Sequence, residues 1–310
     1  MNFIEKHNDR LVVNLFGLKL KFRKPLKQED LMRNFMYELA DKRTFENIKL
    51  PKIMGLKESL SLLSGGGHSL ARYGDGEFKL MMGEGISFQK YDKRLAECLI
   101  KIISNKNDKV LVGLPDFFGM CKSDYFRRVI INCRDFLYQY MDFEGFYVDS
   151  MLTRQIKFDT ENDGIKYFSL VKALWQGKDI VIVEGAGSRL GVGNDLFSQA
   201  KSIERILCPI KDAFSKYDEI LDECLKYSKD KLFIIALGPT ATVLAYDLAN
   251  EGYRALDIGH LDTAYEAFLR KSEKFVHVEG KIVFNEERHD NLIPPCKDEN
   301  YNNQIVAHIK

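Results

Sequence analysis

A chain of 310 residues, 45% hydrophobic and 29% charged, is long enough for one large domain or two modest ones around a real core. Its 46 Lys and Arg against 45 Asp and Glu leave a formal net charge of +1, which offers no bulk charge for a nucleic-acid partner. No apolar run approaches the roughly 20 residues that span a bilayer, Glu5, Lys6, Asp9 and Arg10 come too early for a secretory leader, and six cysteines without a C-x-x-C pair read as reduced, packed thiols of a cytoplasmic protein.

The chain divides into an N-terminal extension (1–50), a main domain (51–290) and a C-terminal tail (291–310). In the extension, the alternation Leu18-Lys19-Leu20-Lys21-Phe22-Arg23 predicts a strand or hairpin. Its basic residues suit either water or an anionic membrane surface. Pro25 ends it, "KQEDLMRNFMYELADK" predicts a helix, and Pro51 marks a boundary. From residue 52 the pattern is α/β. "LKESLSLLSGGG" predicts a helix closed by glycines, and "SLARYG" a short strand. "YDKRLAECLIKIISN" places Leu95, Leu99, Ile102 and Ile103 on one helical face. "KVLVGLP" reads as a buried strand and "SDYFRRVIINCRDFLYQYM" as a long helix with Ser123 as N-cap. "DIVIVEG", "SIERILCP", "KLFIIALG" and "RALDIG" are further strands, most of them separated by helical patterns. Short, uniformly apolar strands alternating with helices indicate a parallel sheet covered on both faces.

Ligands of open α/β sheets gather beyond the carboxyl ends of the strands, and the unusual residues of this chain fall there. In "RYGDGE", an extended backbone would aim Asp75 and Glu77 to one side, as hard ligands for Mg²⁺ or Mn²⁺, with Arg72 and Gly74 beside them. A plain turn is the competing reading of D-G-E. In "VIVEGAGSRLGVGNDLF" a strand enters a glycine-rich loop and a helix starting at Asn194. Leu190 stands where a dinucleotide fingerprint needs its third glycine, yet the loop residues Gly185, Ser188, Arg189 and Gly191 suit an anion. In "IIALGPTATVLAYDLA", Gly238 ends a strand and Thr240 or Thr242 can cap the next helix, whose amides suit a ligand. In "RALDIGHLDTAYEAF", Asp257, His260 and Asp262 are candidates for a base or a metal ligand. Arg154 reads as a surface ion-pair partner or a cation for the site, and Tyr138, Tyr140, Phe143, Phe146 and Tyr147 as helix packing or an acceptor platform.

The stretches "ARYGDGEF", "ISFQKYD", "LVGLPD", "VEGAGSRLGVGNDLF", "ILCPIKDAF" and "ALGPTATVLAYDLANEGYRALDIGHLD", in order from about residue 69 to 265, resemble the GT-D type bacterial glycosyltransferases, a family first described as a domain of unknown function. The resemblance implies a Rossmann-like, doubly wound, mostly parallel sheet. It implies a D-x-E motif, here Asp75-Gly76-Glu77, that holds a divalent cation, usually Mn²⁺, on the diphosphate of a UDP-sugar. It implies a growing glycan, lipid- or protein-linked, as acceptor, and cell-surface polysaccharide or glycoprotein glycan assembly as setting. One departure is the small pair Ala186 and Gly187, where more polar residues are expected. On this reading His260, Asp257 and Asp262 supply the base, and the phosphates or donor are held by Arg72, Arg189 and the glycine and threonine positions named above. A nucleotide-dependent oxidoreductase is disfavoured by the broken fingerprint; a non-catalytic nucleotide-sugar or glycan-binding relative is the remaining alternative.

Overall fold

The computed structural model describes residues 4–6, 10–15, 18–23, 50–65, 67–104, 107–115, 124–282 and 295–310. The chain forms two compact units, Met1–Ile48 and Lys49–Lys310. In the first, strands β1 (Ile4–Lys6), β2 (Arg10–Leu15) and β3 (Leu18–Arg23) make an antiparallel sheet in that order. The Leu15↔Leu18 pair closes the β2–β3 hairpin, so the alternating Leu18–Arg23 stretch is a strand. The helix expected over 27–42 lies outside the described residues, as does Ser123.

In the second unit the described strands form one eight-stranded sheet. They are β4 (Ser69–Arg72), β5 (Val110–Leu114), β6 (Val148–Asp149), β7 (Asp179–Gly185), β8 (Ser202–Cys208), β9 (Leu232–Ala236), β10 (Arg254–Asp257) and β11 (Ile305–His308). Their spatial order is β11-β8-β7-β9-β10-β4-β5-β6, and every pairing is parallel. The mostly parallel expectation is thus met by an all-parallel sheet. Its strands are Val/Ile/Leu-rich because both faces are covered: every residue of β5 is buried, and so are six of the seven of β7. The covering helices include α1 (Leu56–Gly65), α2 (Asp75–Met81), α3 (Lys93–Ile103), α4 (Asp124–Leu137), α5 (Glu161–Ala173), α6 (Tyr217–Cys224), α7 (Pro239–Asn250) and α8 (Leu261–Leu269). Trp175, at the end of α5, is fully buried and anchors its indole N–H on the Leu196 carbonyl.

Two expectations are corrected. The terminal segment is no tail: a short helix, α9 (Glu299–Gln304), leads into β11, which pairs with β8. The alternately half-buried and exposed residues of β11 are those of an edge strand. No helix begins at Asn194 either. Gly191 and Gly193 sit at positive φ, and the Asn194 side chain accepts the Leu196 amide, so local side-chain bonding competes with helix formation and the β7–β8 connection runs through turns. Of the cysteines, Cys98, Cys133, Cys208, Cys224 and Cys296 are free thiols, three of them buried. Among the described residues no helix is long and apolar enough to cross a membrane.

Candidate active site

Because every strand of the eight-stranded sheet runs the same way, their carboxyl ends lie along one edge, and β4, β10, β9 and β7 are neighbours there. Beyond them opens a cleft of about 810 Å³, a size that takes an organic ligand of several rings. Of the residues singled out in the sequence, Arg72, Gly74, Asp75, Glu77, Gly185, Ser188, Gly238, Asp257, His260 and Asp262 line it.

The acidic motif is helical rather than extended. Gly74 is the N-cap of α2, and Asp75 and Glu77 occupy its first turn. In a helix, residues two apart point about 200° from each other, so they are not parallel ligands on a strand face; they share the cleft because the helix starts in it. Glu77 folds back to accept the Gly74 N–H at 2.7 Å. Removal from water, with the negative charge of Asp257 adding to it, pushes the Glu77 carboxyl up to about 7, against the opposing pull of that backbone bond and of Arg72. Asp75 is half exposed and pairs with Lys79 at 3.4 Å. Among the described residues no group of three or more His, Cys, Asp or Glu gathers to hold a metal. Two carboxylates at the mouth of a cleft are the protein share of a Mg²⁺ or Mn²⁺ site that substrate phosphates and water complete. The residues therefore fit a cation brought with a diphosphate, and not a closed structural metal site.

Arg72, the last residue of β4, reaches across to β10. Its Nε donates to the Asp257 carbonyl and one terminal nitrogen to Asp257 Oδ1, both at 2.8 Å. Asp257 is 2% exposed and also accepts the Gly259 N–H; burial raises its pKa, opposed chiefly by Arg72. Gly259 has φ +45, and a Cβ there would collide with the Arg72 guanidinium. Arg72 and Asp257 are thus a buried, charge-assisted pair on the cleft floor, and Asp257 is a carboxylate already held by two donors rather than a poised base.

Asp262 is corrected in the same sense. It is 1% exposed, and it accepts from Lys281 at 2.6 Å, Asn194 at 2.9 Å and the Gly191 N–H at 2.9 Å. Glu266 joins this cluster through Asn194 at 2.7 Å and Lys281 at 3.7 Å. Asp262 therefore fixes the glycine-rich loop to α8. Gly191 spends its amide on that contact and does not face the cleft. Arg189, at φ +50, is 7% exposed, donates to the Gly280 carbonyl at 2.7 Å and lies outside the described cleft lining, so the structure places it as an anchor of the loop rather than in the cleft. Beneath the loop, Glu184 accepts from Arg205 and the Leu190 N–H in full burial.

Thr240 and Thr242 are likewise moved from the site to its support. Both are fully buried in α7. Thr242 Oγ1 donates to the Arg72 carbonyl at 2.8 Å, and Gly238, not a threonine, is the N-cap. Gly238 sits at φ +56, where a Cβ would come within 2.6 Å of the Phe88 ring. The loop carrying Phe88 closes one side of the cleft and is pinned by the Asp212 N–H on the Phe88 carbonyl and by Asp212 Oδ1 on the Lys90 amide.

His260 is the N-cap residue of α8 and half-buried. Arg154, just beyond β6, approaches its Nδ1 at 2.8 Å and stacks over Phe275 at 4.8 Å. Burial, then the positive charges of Arg154 and Arg72, hold His260 well below the ordinary 6.5. Sequence reading left Arg154 between a surface pair and the site; the fold puts it in the cleft lining. It missed Asn194, Glu184, Glu266 and Lys281, whose partners are distant in sequence. The aromatic platform is not formed: Tyr147 is 3% exposed with its hydroxyl on the Ile103 carbonyl, Tyr138 packs edge-on against Phe143, and none of the five aromatics lines the cleft.

These elements recur in known proteins. The Glycosyltransferase GT-D fold family matches residues 70–286. The chain is 38% identical over 269 residues to "Glycosyltransferase GlyD" of Streptococcus pneumoniae and 36% identical over 269 residues to "Probable glycosyl transferase Gly" of Streptococcus gordonii. Each match covers 83% of this chain but only 32% and 39% of those longer proteins. A solved structure described as "The highly conserved domain of unknown function 1792 has a distinct glycosyltransferase fold" superposes with a TM-score of 0.80 at 38% identity, over 88% of this chain and 100% of the other. "A New Glycosyltransferase (DUF1792) from Streptococcus sanguinis" gives 0.78 at 36% identity, over 84% and 100%. By its sheet, its cleft and these likenesses, the chain belongs to the glycosyltransferase GT-D fold family.

Proposed function

We propose that this chain is a hexosyltransferase that moves glucose or a related hexose from a UDP-sugar to a growing, lipid- or protein-linked glycan. It would work in bacterial cell-surface polysaccharide or glycoprotein glycan synthesis, in the cytoplasm at the inner face of the membrane. The observation that carries the reading is the D-x-E pair at the mouth of a cleft built from the carboxyl ends of the central strands, in a fold shared with named glycosyltransferases.

Asp75 and Glu77 would hold the Mn²⁺ or Mg²⁺ ion, which when bound neutralises the charge that develops on the leaving diphosphate. The chain's own residues do the rest. The Arg72–Asp257 pair ties β4 to β10 and fixes the floor on which the donor rests. Gly185 and Ser188 let the donor approach the backbone at the end of β7, and Gly238 does so at the end of β9. Water is excluded on one side by the Phe88 loop and on another by Ile282, whose amide is bonded to the Gly187 carbonyl. Such pre-set dipoles and charges act on the transition state without reorganisation.

A thermal-shift panel of UDP-glucose, UDP-galactose, UDP-N-acetylglucosamine and NAD, each with and without Mn²⁺, tests this. A Mn²⁺-dependent rise in midpoint with one UDP-sugar, absent in Asp75→Asn, is the expected result; silence toward every UDP-sugar in either condition refutes it. One observation favours a second reading, a nucleotide-sugar-binding relative without transfer: Asp257, His260 and Asp262 all have committed partners. Donor hydrolysis or transfer above background decides for the enzyme.

A further inference from the structure

The pairing of His260 with Arg154 determines which hydrogen-bonding function the imidazole offers the cleft. An arginine side chain is always a donor and never an acceptor. At 2.8 Å from Nδ1 it can be satisfied only if Nδ1 carries the lone pair. In the neutral ring the proton then sits on Nε2, and what His260 presents is an N–H donor rather than a lone pair. The stack of Arg154 on Phe275 holds the guanidinium in this orientation. Burial and the two nearby guanidiniums keep the ring neutral at pH 7.

The geometry points to His260 as a hydrogen-bond donor to a phosphate oxygen of a nucleoside diphosphate in the cleft, with Arg154 as the positioning residue that sets its tautomer. The inference rests on the donor reading given above and replaces the role of base expected for His260. The wall on which the ring sits makes an anionic oxygen the favoured acceptor. Arg154 and Arg72 both line it and both act electrostatically on His260, and although Asp257 offsets the charge of Arg72, the guanidinium of Arg154 beside the ring favours a phosphate over a sugar hydroxyl there. A neutral donor also has an advantage over an imidazolium, because it keeps the same hydrogen-bonding role across the neutral pH range.

The test uses the full chain with ¹⁵N-labelled histidine and with UDP and Mg²⁺ as the probe. Long-range ¹⁵N–¹H spectra at pH 7.5 are expected to show His260 as the Nε2–H tautomer, with Nε2 shifting when UDP is added. In Arg154→Met the ring is expected to lose that fixed tautomer while the thermal midpoint stays close to the original. His260→Ala is expected to weaken UDP binding about 10- to 100-fold, the loss of one hydrogen bond to a charged group. His260→Gln, whose amide can still donate, should recover to within about threefold. An Nδ1–H tautomer, an imidazolium at pH 7.5, or a Gln variant as impaired as Ala overturns the assignment. An unmodified protein that shows the Nε2–H tautomer but binds no UDP counts against the nucleotide reading instead; one that binds UDP with Nε2 unmoved counts against His260 alone.

Discussion

At the scale of single residues, Glu77 places stability and function in opposition. Its carboxyl titrates near 7 in the fold against an ordinary 4.5. Between those values the folded chain holds a proton that the unfolded chain has released. Stability therefore falls as pH rises from about 4.5 to 7 and stays reduced above it. The full effect is at most roughly 3 kcal/mol, taking 1.4 kcal/mol for each tenfold change. Glu77→Gln keeps an oxygen for the Gly74 amide and removes the charge. It is expected to raise the thermal midpoint of the metal-free protein at pH 8, to leave it nearly unchanged at pH 4.5, and to abolish metal-dependent turnover. Equal midpoints at pH 8, read by calorimetry, would show that Glu77 carries no such cost. The identity of the D-G-E motif was plain in the sequence; its geometry was not. Three residues with two acids and a glycine fit an extended turn and a helix start equally well, and only the capping bond from Glu77 to Gly74 decides. The Arg154–His260 pair was beyond reach for a different reason: its members are 106 positions apart, and no periodicity links them.

At the scale of elements, the strand ends were legible because uniform apolar runs betray strands buried on both faces, and a parallel sheet aligns their carboxyl ends. The glycine-rich loop was legible as a loop but not in what holds it. Its support comes from the segment around Gly280–Ile282, which touches it at two points, Arg189 on the Gly280 carbonyl and the Ile282 amide on the Gly187 carbonyl, and reaches it at a third through Asp262 of α8, which binds both Lys281 and the Gly191 amide. Nothing in "VEGKIVF" announces this, since a lysine in such a stretch reads as solvent-facing. Yet Lys281 is 4% exposed between two carboxylates that are themselves buried. Removing one partner of a buried ion pair leaves the other uncompensated, at a cost of about 3–5 kcal/mol. Lys281→Met is expected to lower the free energy of unfolding by that amount, seen as an earlier urea midpoint, and to loosen the loop, weakening donor binding. A Lys281→Met protein as stable as the original in urea would mean that Asp262 and Glu266 are held well enough by Asn194, Arg270 and the Gly191 amide.

At the scale of the whole molecule, the described cleft falls within one of the two units. The cleft, as the described residues line it, runs from Arg72 to Ile282 and so belongs wholly to the unit Lys49–Lys310. That unit has its own continuous core, from Leu60 on α1 to Tyr265 on α8. The first unit carries a different signal. Lys19, Lys21, Arg23, Lys24 and Lys27 fall within ten residues with no acid among them, and each such charge near an anionic bilayer contributes about 1 kcal/mol. If the strand faces a bilayer, five together would give reversible attachment that weakens steeply with salt. A chain beginning at Lys49 is therefore expected to fold and to keep the full UDP-sugar and Mn²⁺ thermal shift. The complete chain is expected to co-sediment with phosphatidylglycerol vesicles at 50 mM salt, and the shortened chain is expected not to. Vesicles of phosphatidylcholine alone should retain neither. Equal sedimentation of the two chains would assign the basic strand to water. A truncated chain that no longer answers UDP-sugars would instead place part of donor binding in the first 48 residues, because the loss would then appear in a soluble ligand that no membrane delivers.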